Sequence, residues 1–98
     1  MIATEHLTAD GRLILTVCDS ELIGTKIEGK GFVLDLSSPF YAGTRKSEDE
    51  IVELIGRAWM ITLVGKRVVK AGVACGAVSE KSPLSLNGIP YVQAVSMS

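Results

Sequence analysis

Ninety-eight residues, with ten Lys and Arg against eleven Asp and Glu and 47% apolar content, describe one domain that buries about 65% of its unfolded surface without disulfides or metal. Balanced charge disfavours a protein whose main work is holding phosphates by counterion release, since that work calls for a basic chain. The apolar content exceeds what so small a core hides, and exposed apolar surface on a small domain marks a partner.

Cys18 and Cys75 are far apart and have no cysteine at metal or redox spacing, so both read as small hydrophobes in buried positions. A reducing cytoplasm suits them. The N-terminus lacks a basic segment followed by an apolar stretch, so no secretory signal is expected. The longest charge-free apolar run, Ala58 to Gly65, is too short to span a bilayer. Asn87 and Gln93 are the only side-chain amides, a mild sign of a heat-exposed source.

In chain order, Ile2–Leu7 and Arg12–Cys18 read as a hairpin around Ala9-Asp10-Gly11, with Leu13, Leu15 and Val17 on one face. Asp19 or Ser20 is placed to cap a single helical turn at Glu21–Gly24. Phe32–Leu36 is the third strand, and Ser37 to Lys46, broken by Pro39 and Gly43, is loop. Ser47-Glu48-Asp49-Glu50 is a capping box with three carboxylates where a helix dipole favours them. Ile51, Leu54, Ile55 and Ala58 follow at the spacing of one dry helix face. Ala58 to Val64 is apolar all round, and Thr62 is placed to cap a second helix running to about Cys75, with Val64, Val68, Ala71 and Cys75 inward. Gly76 is its left-handed stop. Trp59 reads as core. Leu84–Leu86 and Ile89–Val95 flank Asn87-Gly88, a strong hairpin signal; Pro90 asks for an edge or a bulge. This order gives an α+β domain with a mostly antiparallel sheet and a central helix pair packed on one face.

Chemical motifs come close and fail on context. Gly24 to Gly31 fits most of a phosphate-binding loop, but Gly31 stands where the magnesium-ligand Ser or Thr belongs, and a strand follows instead of a helix. It reads as a flexible connection into the third strand. His6, the only histidine, neighbours Glu5 in a strand, where adjacent side chains point to opposite faces. No serine elbow or metal spacing is present. The sequence therefore supplies no catalytic residue, metal site or cofactor.

Candidate binding residues fall in three places. Phe40 and Tyr41 put two aromatics in a loop, and Tyr91 and Gln93 sit at a strand entry beside Pro90; loops and strand ends carry function more often than element centres. Lys66, Arg67 and Lys70 form a cationic stretch near the second helix's start, although aromatic interleaving suited to single-stranded RNA is thin.

Val17 to Gly24, Phe40 to Gly43, Leu63 to Arg67 and Asn87 to Ala94, in this order and at these intervals, resemble successive blocks of a small archaeal family, Domain of Unknown Function 424. Tyr91 stands where the family pattern has a histidine after the proline. The resemblance implies an archaeal, cytoplasmic protein whose genes often neighbour translation-factor genes; the family has no established activity, so it carries over no catalytic residue.

Two function classes remain. One is a non-enzymatic interaction module, binding a protein partner or itself and attached to translation or RNA-handling machinery; a homodimer would be two-fold, with the patch at Phe40 and Tyr41. The other is a small enzyme or ligand-binding domain with a cleft between Tyr41 and the Tyr91–Gln93 strand entry. A deep pocket of convergent polar groups would favour the second, and a flat apolar or basic patch the first.

Overall fold

The computed structural model describes residues 1–29, 31–37 and 43–95. The strands are β1 (Ile2–Leu7), β2 (Leu13–Cys18), β3 (Lys26–Gly29), β4 (Phe32–Asp35), β5 (Thr44–Arg45), β6 (Met60–Val64), β7 (Leu84–Leu86) and β8 (Ile89–Val95); the helices are α1 (Glu48–Arg57) and α2 (Lys66–Ala74). Six strands form one sheet in the order β5-β1-β2-β6-β8-β7, and β3 and β4 form a separate hairpin. Every pairing is antiparallel except β2 with β6, so the fold is α+β with a mostly antiparallel sheet, as the element order predicts.

Alternation along the strands divides the core in two. Ala3, Leu15, Val17, Ile61, Leu63 and Val92 face the helices and pack with Ile51, Leu54 and Ile55 of α1 and Val68 and Val69 of α2. On the other face Cys18 and Val64 pack with Ile27, Leu36 and Leu86, so the β3–β4 hairpin covers part of the sheet. The rest of that face carries Thr4, Thr16, Thr62 and Gln93 in one register row across β1, β2, β6 and β8.

Both helix ends show the expected chemistry. The Ser47 hydroxyl accepts from the Glu50 N–H at 3.3 Å, and the Glu50 carboxylate accepts from the Ser47 N–H at 3.1 Å. At the other end Gly76 has φ 79°, and the Gly76 and Ala77 N–H groups bond back to Val73 and Gly72, which satisfies the last carbonyls of α2.

The structure corrects several expectations. Ala58 to Val64 is not the entry to a helix: Met60–Val64 is a central strand, and α2 starts after Gly65. A central strand with Ile61 and Leu63 buried on one face and Met60, Thr62 and Val64 half-buried to buried on the other reads as a nearly continuous apolar run, which periodicity cannot tell from a buried helix. Thr62 therefore caps nothing, and Val64 faces the second cluster. The Gly24–Gly31 connection holds β3, a full hairpin partner of β4 with Ile27 buried in the second cluster; Lys30 lies outside the described residues. The Ser37–Lys46 loop contributes β5, which pairs with Ile2 and Ala3. Pro90 lies on an interior strand, because the sheet edge is β7. It is tolerated there because it stands one residue past the end of β6, where the Gly65 N–H closes the ladder on the Pro90 carbonyl at 2.9 Å.

Candidate functional site

The candidate residues of α2 sit on a helix start of unusual construction. Lys66 and Arg67 occupy its first turn with no acidic residue beside them, an order that the helix dipole disfavours. The negative charge comes from the end of β2: the buried Asp19 carboxylate accepts from the Arg67 N–H at 3.1 Å and the Val68 N–H at 2.9 Å. Asp19 or Ser20 was expected to cap a turn at Glu21–Gly24; instead Asp19 makes no side-chain cap bond there, and the turn is a 3-10 turn at Ser20–Leu22. Gly65 makes room for this contact. Its φ is 113°, and a Cβ there would stand 2.4 Å from the Asp19 Cγ. Lys66, Arg67 and Lys70 are all exposed.

Tyr91 and Gln93 lie on the sheet face away from the helices. Tyr91 packs against the second cluster, and burial raises its phenol's pKa. Gln93 is exposed, and its Nε2 donates to Thr62 Oγ1 at 3.3 Å. The structure thus groups Tyr91 with Gln93 and places Lys66, Arg67 and Lys70 on a helix packed against the opposite face. Phe40 and Tyr41 lie outside the described residues, and so does the Tyr41 wall of the cleft expected beside Tyr91.

A concavity that no candidate residue lines lies elsewhere, beside Trp59. A groove of about 410 Å³ runs between α1 and the end of α2, lined by Val52, Ile55 and Gly56, by Cys75, Gly76 and Ala77, and by Ala94 and Val95 of β8. At one end it shares Gly56, Ala58 and Trp59 with a hollow of about 360 Å³ that adds Arg12 and Arg57. At the other it shares Val52 and Cys75 with one of about 260 Å³ that adds Glu48 and Asp49. Leu13 and Arg57 lead on to a further hollow at Glu5 and Leu7. Five large apolar side chains are exposed among the described residues; two of them, Leu7 at 73% and Val52 at 36%, lie along this system, while Val95, at 49%, borders it at the end of β8 with its side chain on the sheet face of Tyr91 and Gln93.

Trp59 and Cys75, both expected in the core, are surface residues here. Trp59 is half-buried, and the Arg12 guanidinium lies 4.9 Å from its ring centroid, a cation–π contact that leaves part of the indole uncovered. Arg12 also pairs with Asp10 at 3.2 Å. Cys75 is exposed, whereas Cys18 is buried. Burial, helped by the neighbouring Asp19 charge, pushes the Cys18 thiol up to about 12, so it stays protonated and inert near neutral pH. Val52, Gly56 and Trp59 escaped the sequence reading for one reason. Val52 and Gly56 sit off the apolar stripe of α1, and a tryptophan just past a helix end looks like the stripe's continuation. The available signal was a valine and a glycine on what should be a solvated helix face. Among the described residues no group of three or more His, Cys, Asp and Glu side chains is placed to hold a metal ion, and no helix is long and apolar enough to cross a membrane.

The comparisons agree with this architecture. No curated protein matches the chain. The crystal structure of an uncharacterized conserved protein from Methanopyrus kandleri is similar, with a TM-score of 0.79 and 28% identity over 95% of this chain and 88% of that one. A sequence-family model described as Protein of unknown function (DUF424) matches residues 7–97, which take in both helices, the β3–β4 hairpin and the Trp59 groove. The chain belongs to that family.

Proposed function

We propose that this chain is a non-enzymatic interaction module that binds protein through the groove beside Trp59. The observation that carries the reading is the gathering of exposed Val52 and Leu7 with a half-exposed tryptophan along one system of hollows. Side chains left in water at random would be scattered; a contiguous apolar strip rimmed by charge is the pattern of a contact surface. Tryptophan and arginine are also the residue types that interfaces concentrate. As its setting we propose translation or RNA-handling machinery: Lys66, Arg67 and Lys70 are exposed at the opposite end of α2 from Cys75, so a phosphate backbone and a protein partner would not compete for one surface.

The test is purification of tagged protein from its native host as wild type, as Val52→Glu, and with Lys66, Arg67 and Lys70 all changed to Ala. Val52 is exposed enough for a carboxylate to reach water, and circular dichroism checks that each variant is folded. A protein component present with wild type and lost with Val52→Glu is the expected result. Loss of RNA only in the triple variant would support the proposed setting. The same protein complement on wild type and Val52→Glu would overturn the groove reading.

A further inference from the structure

We infer that the partner is held as an extended segment of another protein, added as a strand to the open edge of β8 with one side chain in the groove. The inference rests on the reading of the groove as a protein-binding surface and states the form of its occupant. It starts from a mismatch in length. β8 has seven residues, and β7 pairs with Ile89, Pro90 and Tyr91 alone. From Val92 to Val95, β8 is itself the edge of the sheet. Register fixes which backbone groups that edge offers. In an antiparallel ladder one residue turns its N–H and C=O toward one neighbour, and the next residue turns them to the other side. The Gly65 N–H bonds the Pro90 carbonyl, so Pro90, Val92 and Ala94 turn toward β6, where Val92 faces Leu63 and Ala94 faces Ile61. Tyr91, Gln93 and Val95 turn the other way. Tyr91 meets Leu84 of β7. Gln93 and Val95 meet no strand, and among the described residues no backbone group bonds their outward N–H or C=O. Both residues are exposed.

Donors and acceptors spaced along one line are complementary to another extended backbone, and a helix, whose backbone groups bond one another, cannot use them. The groove supplies the second half of the recognition. Side chains of an added strand alternate between the two sheet faces. The one beside Ala94 shares the face of the helices, and Ala94 lines the groove together with Ile61, Val52 and Ala77. One step up the same face stands the buried Val92; the smaller Ala94 leaves room there for a side chain from the neighbouring strand. Residues on either side of it lie on the opposite face, beside Gln93 and Val95, where a polar and a β-branched side chain fit as cross-strand neighbours. The segment that binds is therefore extended, with one large apolar side chain turned inward between two that are not.

Random linear peptides displayed on phage and selected on the full chain supply the probe, and the tightest binder is synthesised for titration. Val95→Pro removes one outward N–H and sets a ring on the edge without breaking a bond of its own ladder, a place where proline is tolerated. It should melt near wild type and bind the peptide at least about tenfold more weakly. Val95→Thr keeps the N–H and the branched shape and should bind like wild type. Amide exchange followed by NMR reads the edge directly, and decides the matter even if Val95→Pro fails to fold. The Gln93 and Val95 amides should exchange fast in the free chain and slow down when the peptide is added, while Val92 and Ala94 stay slow throughout. No peptide enriched over a blank surface, a folded Val95→Pro that binds like wild type, or Gln93 and Val95 amides that the peptide leaves unchanged would each overturn the strand. In the host purification, a protein lost on Val52→Glu but kept by folded Val95→Pro overturns this inference and leaves the groove reading standing. If Val52→Glu loses nothing there, both fall.

Discussion

Asp19 and Gly65 work as one device, in which a carboxylate from the end of β2 supplies the start of α2 with the negative charge its own first turn lacks. The geometry is two-pronged, one carboxylate oxygen to each N–H, and it is buried. Asp19→Asn keeps the shape but loses the charge and turns an NH2 group toward one of the two backbone donors. Hydrogen bonds to charged groups contribute about 1.5–3 kcal/mol, and an unsatisfied buried donor has a similar cost. Urea denaturation of Asp19→Asn should therefore show a loss of about 2 kcal/mol with an unchanged m-value. A loss under about 0.5 kcal/mol would mean that water or another group serves α2 as well. The cationic pair Lys66 and Arg67 gains from the same carboxylate, which lets a basic surface persist where a helix dipole would otherwise resist it.

Among the elements, α1 shows how local chemistry sets a boundary. Its first turn is closed by the Ser47–Glu50 exchange, and the Glu50 carboxyl is held below its ordinary 4.5, first by the Ser47 N–H, then by the Ser47 hydroxyl and lastly by Lys46. A folded value below the unfolded one means that this contribution is fully present above about pH 4.5 and is lost as pH falls through the depressed value. Ser47→Ala should cost about 0.5–2 kcal/mol and move the Glu50 titration, followed by carboxyl carbon NMR, part of the way back to 4.5, since the backbone donor remains. A titration that does not move would show the capping box to be open in solution. Such signals lie within four residues of one another, which is why Ser47, Gly76 and the Asn87-Gly88 turn were legible in sequence. β6 was not, because Met60 and Val64 make its second face nearly as apolar as its first and leave little period to read. The Asp19 contact with α2 was not, because it joins the end of β2 to a helix start across the β3–β4 hairpin, β5, α1 and β6. β3 was hidden by its glycines, which suggested a connection where a short strand completes a hairpin.

On the scale of the molecule, composition told that apolar surface would remain but not where. The helices cover one sheet face and the β3–β4 hairpin part of the other; Leu84 and Val33 stay exposed on β7 and β4, and an apolar groove opens where α1, α2 and β8 end together. That convergence comes from topology: β6 lies between β2 and β8 in the sheet and carries Trp59 to the groove just before its first residue. The expected patch at Phe40 and Tyr41 lies outside the described residues, so the groove carries the account. Trp59 is the chain's only tryptophan and sits where the partner would cover it, which makes its fluorescence the most direct probe. When the protein captured by wild type from the host is added, emission should shift to shorter wavelength and acrylamide quenching should fall, while Val52→Glu shows neither change. Emission and quenching unchanged by that protein in wild type, or a shift of the same size in Val52→Glu, would contradict protein binding in the groove beside Trp59.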